Sequence, residues 1–285
     1  MLEMILLAVP AMWYATGVRA LWRAAGRGHG VTGLRVVSFA GGIATLAIAL
    51  LSPIDELADA FFSAHMVQHL LLIMVAAPLW VLGNPLLPML FALPCDIRHG
   101  LGRWWMRNAS LRRSVHFITT PGVVLVAHMG ALWFWHFPVP YQAALGNASL
   151  HAAEHLSFFL TALLFWWVVV TPMGRRRASE PAAIFMVVGT LMQSGVLGAM
   201  LMLARAPWYP AHGPATRAWG RTLLEDQQLA GLLMWIPGTV VYVTAAAVLF
   251  VAWMQRDERG AGRSGERLDA KGESPAGVFP MGGTA

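Results

Sequence analysis

Seven apolar stretches, each about twenty residues long, constrain this chain more than any other feature. They lie near residues 4–22, 34–53, 64–83, 116–136, 152–172, 182–204 and 228–253. A helix rises about 1.5 Å per residue, so roughly 20 residues cross a hydrocarbon core about 30 Å thick. The runs are continuously apolar, whereas a membrane β-barrel alternates apolar and polar residues at period two. Only 12% of the 285 residues are charged, against about a quarter in a soluble domain. The pattern predicts an all-α, polytopic membrane bundle of seven transmembrane helices spanning residues 1–255. Residues 256–285 are Gly-rich and charged, which predicts a disordered cytoplasmic tail.

The basic residues set the expected orientation. Arg19, Arg23, Arg27 and Arg35 follow the first stretch, and Arg98, Arg103, Arg107, Arg112 and Arg113 follow the third. Arg175, Arg176 and Arg177 follow the fifth, and Arg256, Arg259, Arg263, Arg267 and Lys271 follow the last. These loops alternate along the chain and all fall on one side; only Arg205, Arg217 and Arg221 fall on the other. Basic loops stay cytoplasmic, so the N-terminus is expected outside and the C-terminus inside. The net charge of +6 then reports topology and contact with anionic membrane lipid, not nucleic acid. No cleavable signal peptide is expected, because the first positive charges follow the apolar stretch instead of preceding it.

Between the stretches, residues 94–114 mix Arg with Trp104 and Trp105, the composition of an interfacial helix on the inner face. Residues 205–225 form the longest outer loop. Small residues at Gly41, Gly42, Gly189, Ser194, Gly195 and Gly198 are expected to let the second and sixth helices pack closely.

Placed on this topology, the polar residues gather at one face. The segment Phe61 to His69, FFSAHMVQH, sets His65, Gln68 and His69 at the outer entrance of the third helix. Residues at i and i+4 share one helix face, and two imidazoles so placed can grip a metal ion or flank a haem. The fifth helix begins outside with His151, Glu154 and His155, a second such pair. The fourth ends outside at His136, with His128 two turns deeper, and the seventh begins with Glu225, Asp226, Gln227 and Gln228. Only His29, His99 and His116 fall on the inner side. Ionisable groups inside a bilayer are costly and tend to be functional. Single elements also have plainer roles: a histidine at a helix end can simply bond at the interface, and Glu225 and Asp226 suit a helix N-terminus. Met129, Met192, Met200, Met202 and Met234 are soft ligands suited to Cu(I), but methionine is also a common core filler.

Two functions suggested by outline features do not fit. HAAEH at 151–155 matches the inverted zinc-protease motif, which belongs to a different, soluble fold. Seven helices suggest a retinal protein, yet the only lysine is Lys271 in the tail, so no intramembrane Schiff base can form. The single cysteine, Cys95, lies near the inner surface and allows neither a disulfide nor a CxxC site.

FFSAHMVQHLLLIMVAAPLWVLGNP, the HAAEH stretch and DQQLAGLLMWIPG at the start of the seventh helix resemble the CtaG family of cytochrome c oxidase assembly factors. The resemblance covers roughly residues 34–255. It implies a non-enzymatic protein of the bacterial inner membrane that partners haem–copper oxidase subunits and delivers copper to the oxidase. His65, Gln68, His69, His151, Glu154, His155, Asp226 and Gln227 match the family's polar pattern. On this basis the metal ligands are expected at His65, His69, His151 and His155, with Gln68, Glu154, Asp226 and Gln227 around them; because delivery needs exchangeable ligands, a shallow site open to the periplasm is expected. Two alternatives stand beside copper delivery: a bis-His haem protein that transfers electrons, and an assembly scaffold without cofactor.

Overall fold

The computed structural model describes residues 2–170 and 179–272. Among these the chain is helical and contains no strand. The long helices are α1 (Leu2–Ala25), α2 (Gly33–Leu51), α4 (Phe62–Leu82), α10 (Ala148–Val170), α11 (Glu180–Met202) and α13 (Leu223–Gly272). All six have the length and hydropathy to cross a membrane. A seventh crossing results when α7 (Ala109–Ile118) and α8 (Pro121–His136), bent by 59° at their junction, are counted as one span. The bend follows from Pro121, which has no backbone N–H to continue a preceding helix and disfavours helical backbone at Thr120.

Short helices join these spans. They are α3 (Pro53–Ala60), α5 (Leu86–Phe91), α6 (Cys95–Arg107), α9 (Pro138–Leu145) and α12 (Gly213–Ala218), the last preceded by a 3₁₀ turn at Pro210–His212. The Arg/Trp segment predicted as one interfacial helix is two, α6 and α7, meeting at Asn108, and neither buries a residue. Helix α13 runs on to Gly272, so residues 256–272 continue a helix where their composition suggested disorder. Once a helix is nucleated, each added residue costs little. The remainder of the expected tail, 273–285, and Arg175 to Arg177 lie outside the described residues.

Around an apolar core, the bundle turns many further apolar side chains outward and keeps several polar ones inside. Leu34, Val126, Phe185 and Val248 are exposed, while His65, Gln68, His69, His128, Glu154, Gln193 and Asp226 are buried. That inversion suits lipid, which solvates Leu as well as a protein core does. Packing instead depends on close backbone approach. A Cβ at Gly231 on α13 would lie 2.5 Å from the carbonyl oxygen of Gly198 on α11, and one at Gly42 on α2 would lie 3.1 Å from the Trp80 backbone nitrogen on α4. The α11–α13 pair is the most extensive in the molecule. The ends of α4 and α10 that carry the histidine pairs lie together at one end of the bundle, with the C-terminal end of α8 and the N-terminal end of α13.

Candidate metal centre

Helix α4 owes its start to a residue far away in sequence. Phe61 is extended (φ −129°, ψ 131°) and breaks the chain away from α3, without capping α4 through its own side chain. The cap comes from Asp226 on α13. Its carboxylate accepts from the backbone N–H of Phe62 at 2.7 Å and from the Ser63 hydroxyl at 2.5 Å. This satisfies donors that every helix N-terminus leaves orphaned and fixes the first turn from which His65 projects.

Two residues past His69, α4 widens into a π-helical segment, Leu71–Ala76. The cause is Pro78, which has no N–H and crowds the preceding turn. In i→i+5 bonding the Ile73 carbonyl would need that missing N–H. The Trp166 indole on α10 supplies the donor instead, at 2.9 Å. This bond pins α4 to α10 below the two histidine pairs and holds them face to face.

Between these helices His65, His69, His151, Glu154 and His155 form one chamber. The His65 and His151 rings stack at 5.2 Å, and His155 lies 6.0 Å from His65 and 5.3 Å from His69 by ring centroid. One carboxylate oxygen of Glu154, Oε1, is 3.8 Å from Nε2 of both His65 and His69. His65 and Glu154 are fully buried and His69 nearly so, while His151 and His155 are half-buried on the more open flank. Both ring nitrogens of His65 and His69, both Glu154 oxygens and the Nε2 atoms of His151 and His155 lack any hydrogen-bond partner. Buried polar atoms are nearly always satisfied, so this many unpaired donors and acceptors in one chamber make it the candidate ligand site. Two overlapping sets, His65–His151–His155 and His65–His69–Glu154, each bring their ligand atoms within 4.8 Å of one another. Ligands about 2 Å from one ion lie about 3.3 Å apart in a tetrahedron, so inward shifts of under about 1 Å complete either set.

The structure does not bring the other expected neighbours to this chamber. The Gln68 amide donates to the Ala49 carbonyl at 2.9 Å and to Asp55 at 2.7 Å, tying α4 to α2 and α3. Gln227 accepts from the Trp208 N–H at 2.6 Å, anchoring the outer loop. Asp226 caps α4, as described. Polar residues on buried backbone ends bind that backbone first, because leaving it unpaired is costly. Glu154, in contrast, stands among the imidazoles, close enough to be a ligand itself.

Sequence reasoning also missed a roof. Tyr141, Tyr209, Phe62 and His212 pack together over the chamber: the Phe62 and Tyr141 rings meet edge-on at 5.2 Å, and the Tyr141 hydroxyl lies 2.8 Å from His212 Nε2. The Tyr209 hydroxyl donates to the His136 carbonyl at 2.7 Å. The roof makes the chamber deep, in place of the shallow open site expected for it. The one signal available in sequence was the aromatic content of the loops that supply it. Burial holds the His212 imidazole below its ordinary value of 6.5, against the opposing pull of Asp226 and Asp59.

A family model described as the cytochrome c oxidase caa3 assembly factor matches residues 12–256 of the chain. Among curated proteins, an uncharacterized protein of Mycobacterium bovis and one of Mycobacterium tuberculosis are each 25% identical over 92% of the chain. An uncharacterized protein of Mycobacterium leprae is 23% identical over 83% of it. The alignments take in 40%, 40% and 36% of those relatives, so the chain spans well under half their length. No solved structure matches.

Proposed function

Because this chain belongs to the cytochrome c oxidase caa3 assembly factors, we propose that it binds copper in the chamber between α4 and α10 and passes the ion to subunits of a haem–copper oxidase. The support is the convergence of unpartnered ligand atoms from His65, His69, His151, His155 and Glu154. Neutral imidazoles hold either copper oxidation state. A carboxylate among them offsets the ion's charge where water cannot. In this proposal Gln68, Asp226 and Gln227 hold the surrounding backbone in place and stay off the metal. Each set brings three ligand atoms within 4.8 Å of one another, and the rings from the two helices lie 5.2 to 6.0 Å apart; so compact a cluster suits an ion better than the flat plate of a haem.

The bundle lies in a bacterial inner membrane, N-terminus out and C-terminus in, which turns the chamber to the periplasm. Copper enters past the half-buried His151 and His155, and exchangeable imidazole ligands release it to the oxidase. The protein acts as a chaperone and catalyses no bond change.

Metal analysis of detergent-purified protein tests this directly. His65 belongs to both ligand sets, so His65→Ala should lower bound copper more than His69→Ala or His155→Ala, with the helical fold retained. Full copper occupancy in all three variants would refute the assignment. A Soret band in the purified protein would instead favour haem, and metal-free protein whose histidine variants support normal oxidase assembly would favour a scaffold.

A further inference from the structure

Next to His69, helices α4, α8, α11 and α13 enclose a small cavity whose wall includes Met66, His69, His128, His136 and Met234. Its volume is about 30 Å³. A single water needs roughly 10–15 Å³ on this measure, so there is room for one ion or a couple of waters. A haem does not fit.

Two groups in this wall face each other in a way no hydrogen bond accounts for. His136 Nδ1 lies 2.7 Å from the Leu132 carbonyl oxygen. A carbonyl only accepts, so Nδ1 carries the ring hydrogen. In the neutral ring Nε2 then presents a bare lone pair, and it lies 3.4 Å from the Met66 sulfur. A thioether has no hydrogen either, so two lone-pair donors point at one another. An imidazolium would resolve the clash, but no carboxylate lines the cavity to balance its charge. His69 completes the arrangement: neither of its ring nitrogens has a partner, and its ring centroid is 6.5 Å from that of His136.

A cation between the two donors removes the conflict. Bonds of about 2.0 Å to nitrogen and 2.3 Å to sulfur, meeting at about 105°, span the observed separation. Imidazole with thioether is a soft set that selects Cu(I) over harder ions. We propose that His136 Nε2 and Met66 Sδ, joined by His69, form a second and deeper Cu(I) site beside the histidine chamber. This deepens the copper reading of the chamber and rests on it, with His69 as the ligand common to both sites. Passage between them exchanges ligands on an ion that remains Cu(I): bonds to His65 and Glu154 break as bonds to His136 and Met66 form, and no electron moves. Two linked stations hold the ion away from water while a partner docks.

The test is anaerobic loading of the full-length, detergent-purified chain with Cu(I), followed by metal counting and X-ray absorption. The expected result is about two copper ions per chain, one held by His65, His151 and His155 and one by His69, His136 and Met66, with a copper–sulfur distance of about 2.3 Å. Met66→Leu, a swap that nearly conserves volume, should remove the sulfur signal and one ion. His136→Phe should do the same. His151→Ala combined with His155→Ala should lower the count and keep the sulfur signal. Copper bound through nitrogen and oxygen alone in the unaltered chain would overturn the inner site and leave the chamber standing. Sulfur scattering that survives both Met66→Leu and His136→Phe would also overturn it. Failure of the unaltered chain to bind any Cu(I) would overturn both sites.

Discussion

Asp226 reaches the first turn of α4 from a position 164 residues further along the chain. Its carboxylate is buried and accepts from both backbone and hydroxyl donors there, so its loss removes a cap and leaves those donors dry. Asp226→Ala should cost about 2 kcal/mol of stability, within the range for charged hydrogen bonds, read as lowered thermal stability in detergent. Copper content should fall with it, since His65 lies on the loosened turn. An unchanged melting temperature would show that water replaces the cap. The roof responds to pH through His212. Its folded value lies below 6.5, so as pH falls beneath about 6.5 the unfolded chain takes up a proton that the buried ring refuses, and stability is lost. Asp226, Asp59 and Tyr141 face this ring and moderate the effect. Hydrogen exchange across residues 209–218 should therefore quicken on acidification, and His212→Gln should flatten that dependence.

At the scale of elements, the π segment of α4 shows how one proline shapes the histidine chamber. Pro78 removes the donor for Ile73, Trp166 replaces it, and that bond holds α4 on α10. Trp166→Phe keeps much of the ring and strands the carbonyl, which should cost about 1–3 kcal/mol. It should also weaken copper binding by letting the histidine pairs drift apart. Retained stability and copper content would show that the π turn needs no outside donor. The α11–α13 contact makes an independent check on how the bundle is held. Gly231→Ala places a methyl against the Gly198 carbonyl, and overpacking of this kind should cost about 1–3 kcal/mol. A neutral result would mean that the two helices separate easily.

For the whole molecule, orientation decides what the chamber can meet. Reporter fusions after Arg177 and after Gln255 should behave as cytoplasmic, and one near His212 as periplasmic. Periplasmic activity at Arg177 would turn the chamber toward the cytoplasm and end the delivery route proposed here. In cells, deletion of this protein should lower haem–copper oxidase activity by leaving copper out of the enzyme, with haem insertion less affected. Added copper should restore part of the activity, because mass action can bypass a chaperone. Loss of oxidase haem with copper intact would point to a haem role instead.

Much of this protein is written in composition and spacing. Twenty-residue apolar runs must become helices in lipid, since no other open backbone satisfies its own polar groups there. The i, i+4 spacing of His65 with His69 and of His151 with His155 put each pair on one helix face before any fold was known. The FFSAHMVQH, HAAEH and DQQLAGLLMWIPG blocks pointed to the family. What spacing along a chain cannot carry is the direction of a side chain across helices. Glu154, Gln68, Asp226 and Gln227 all sit beside histidines or acids in sequence, yet only Glu154 turns into the chamber. The others are drawn to backbone ends at Ala49, Phe62 and Trp208, whose need for partners exists only once the helices have met. The roof over the chamber and the pairing of His136 with Met66 arise the same way. They join residues 70 or more positions apart, and only packing of α4, α8, α9 and the outer loop brings such residues within bonding distance.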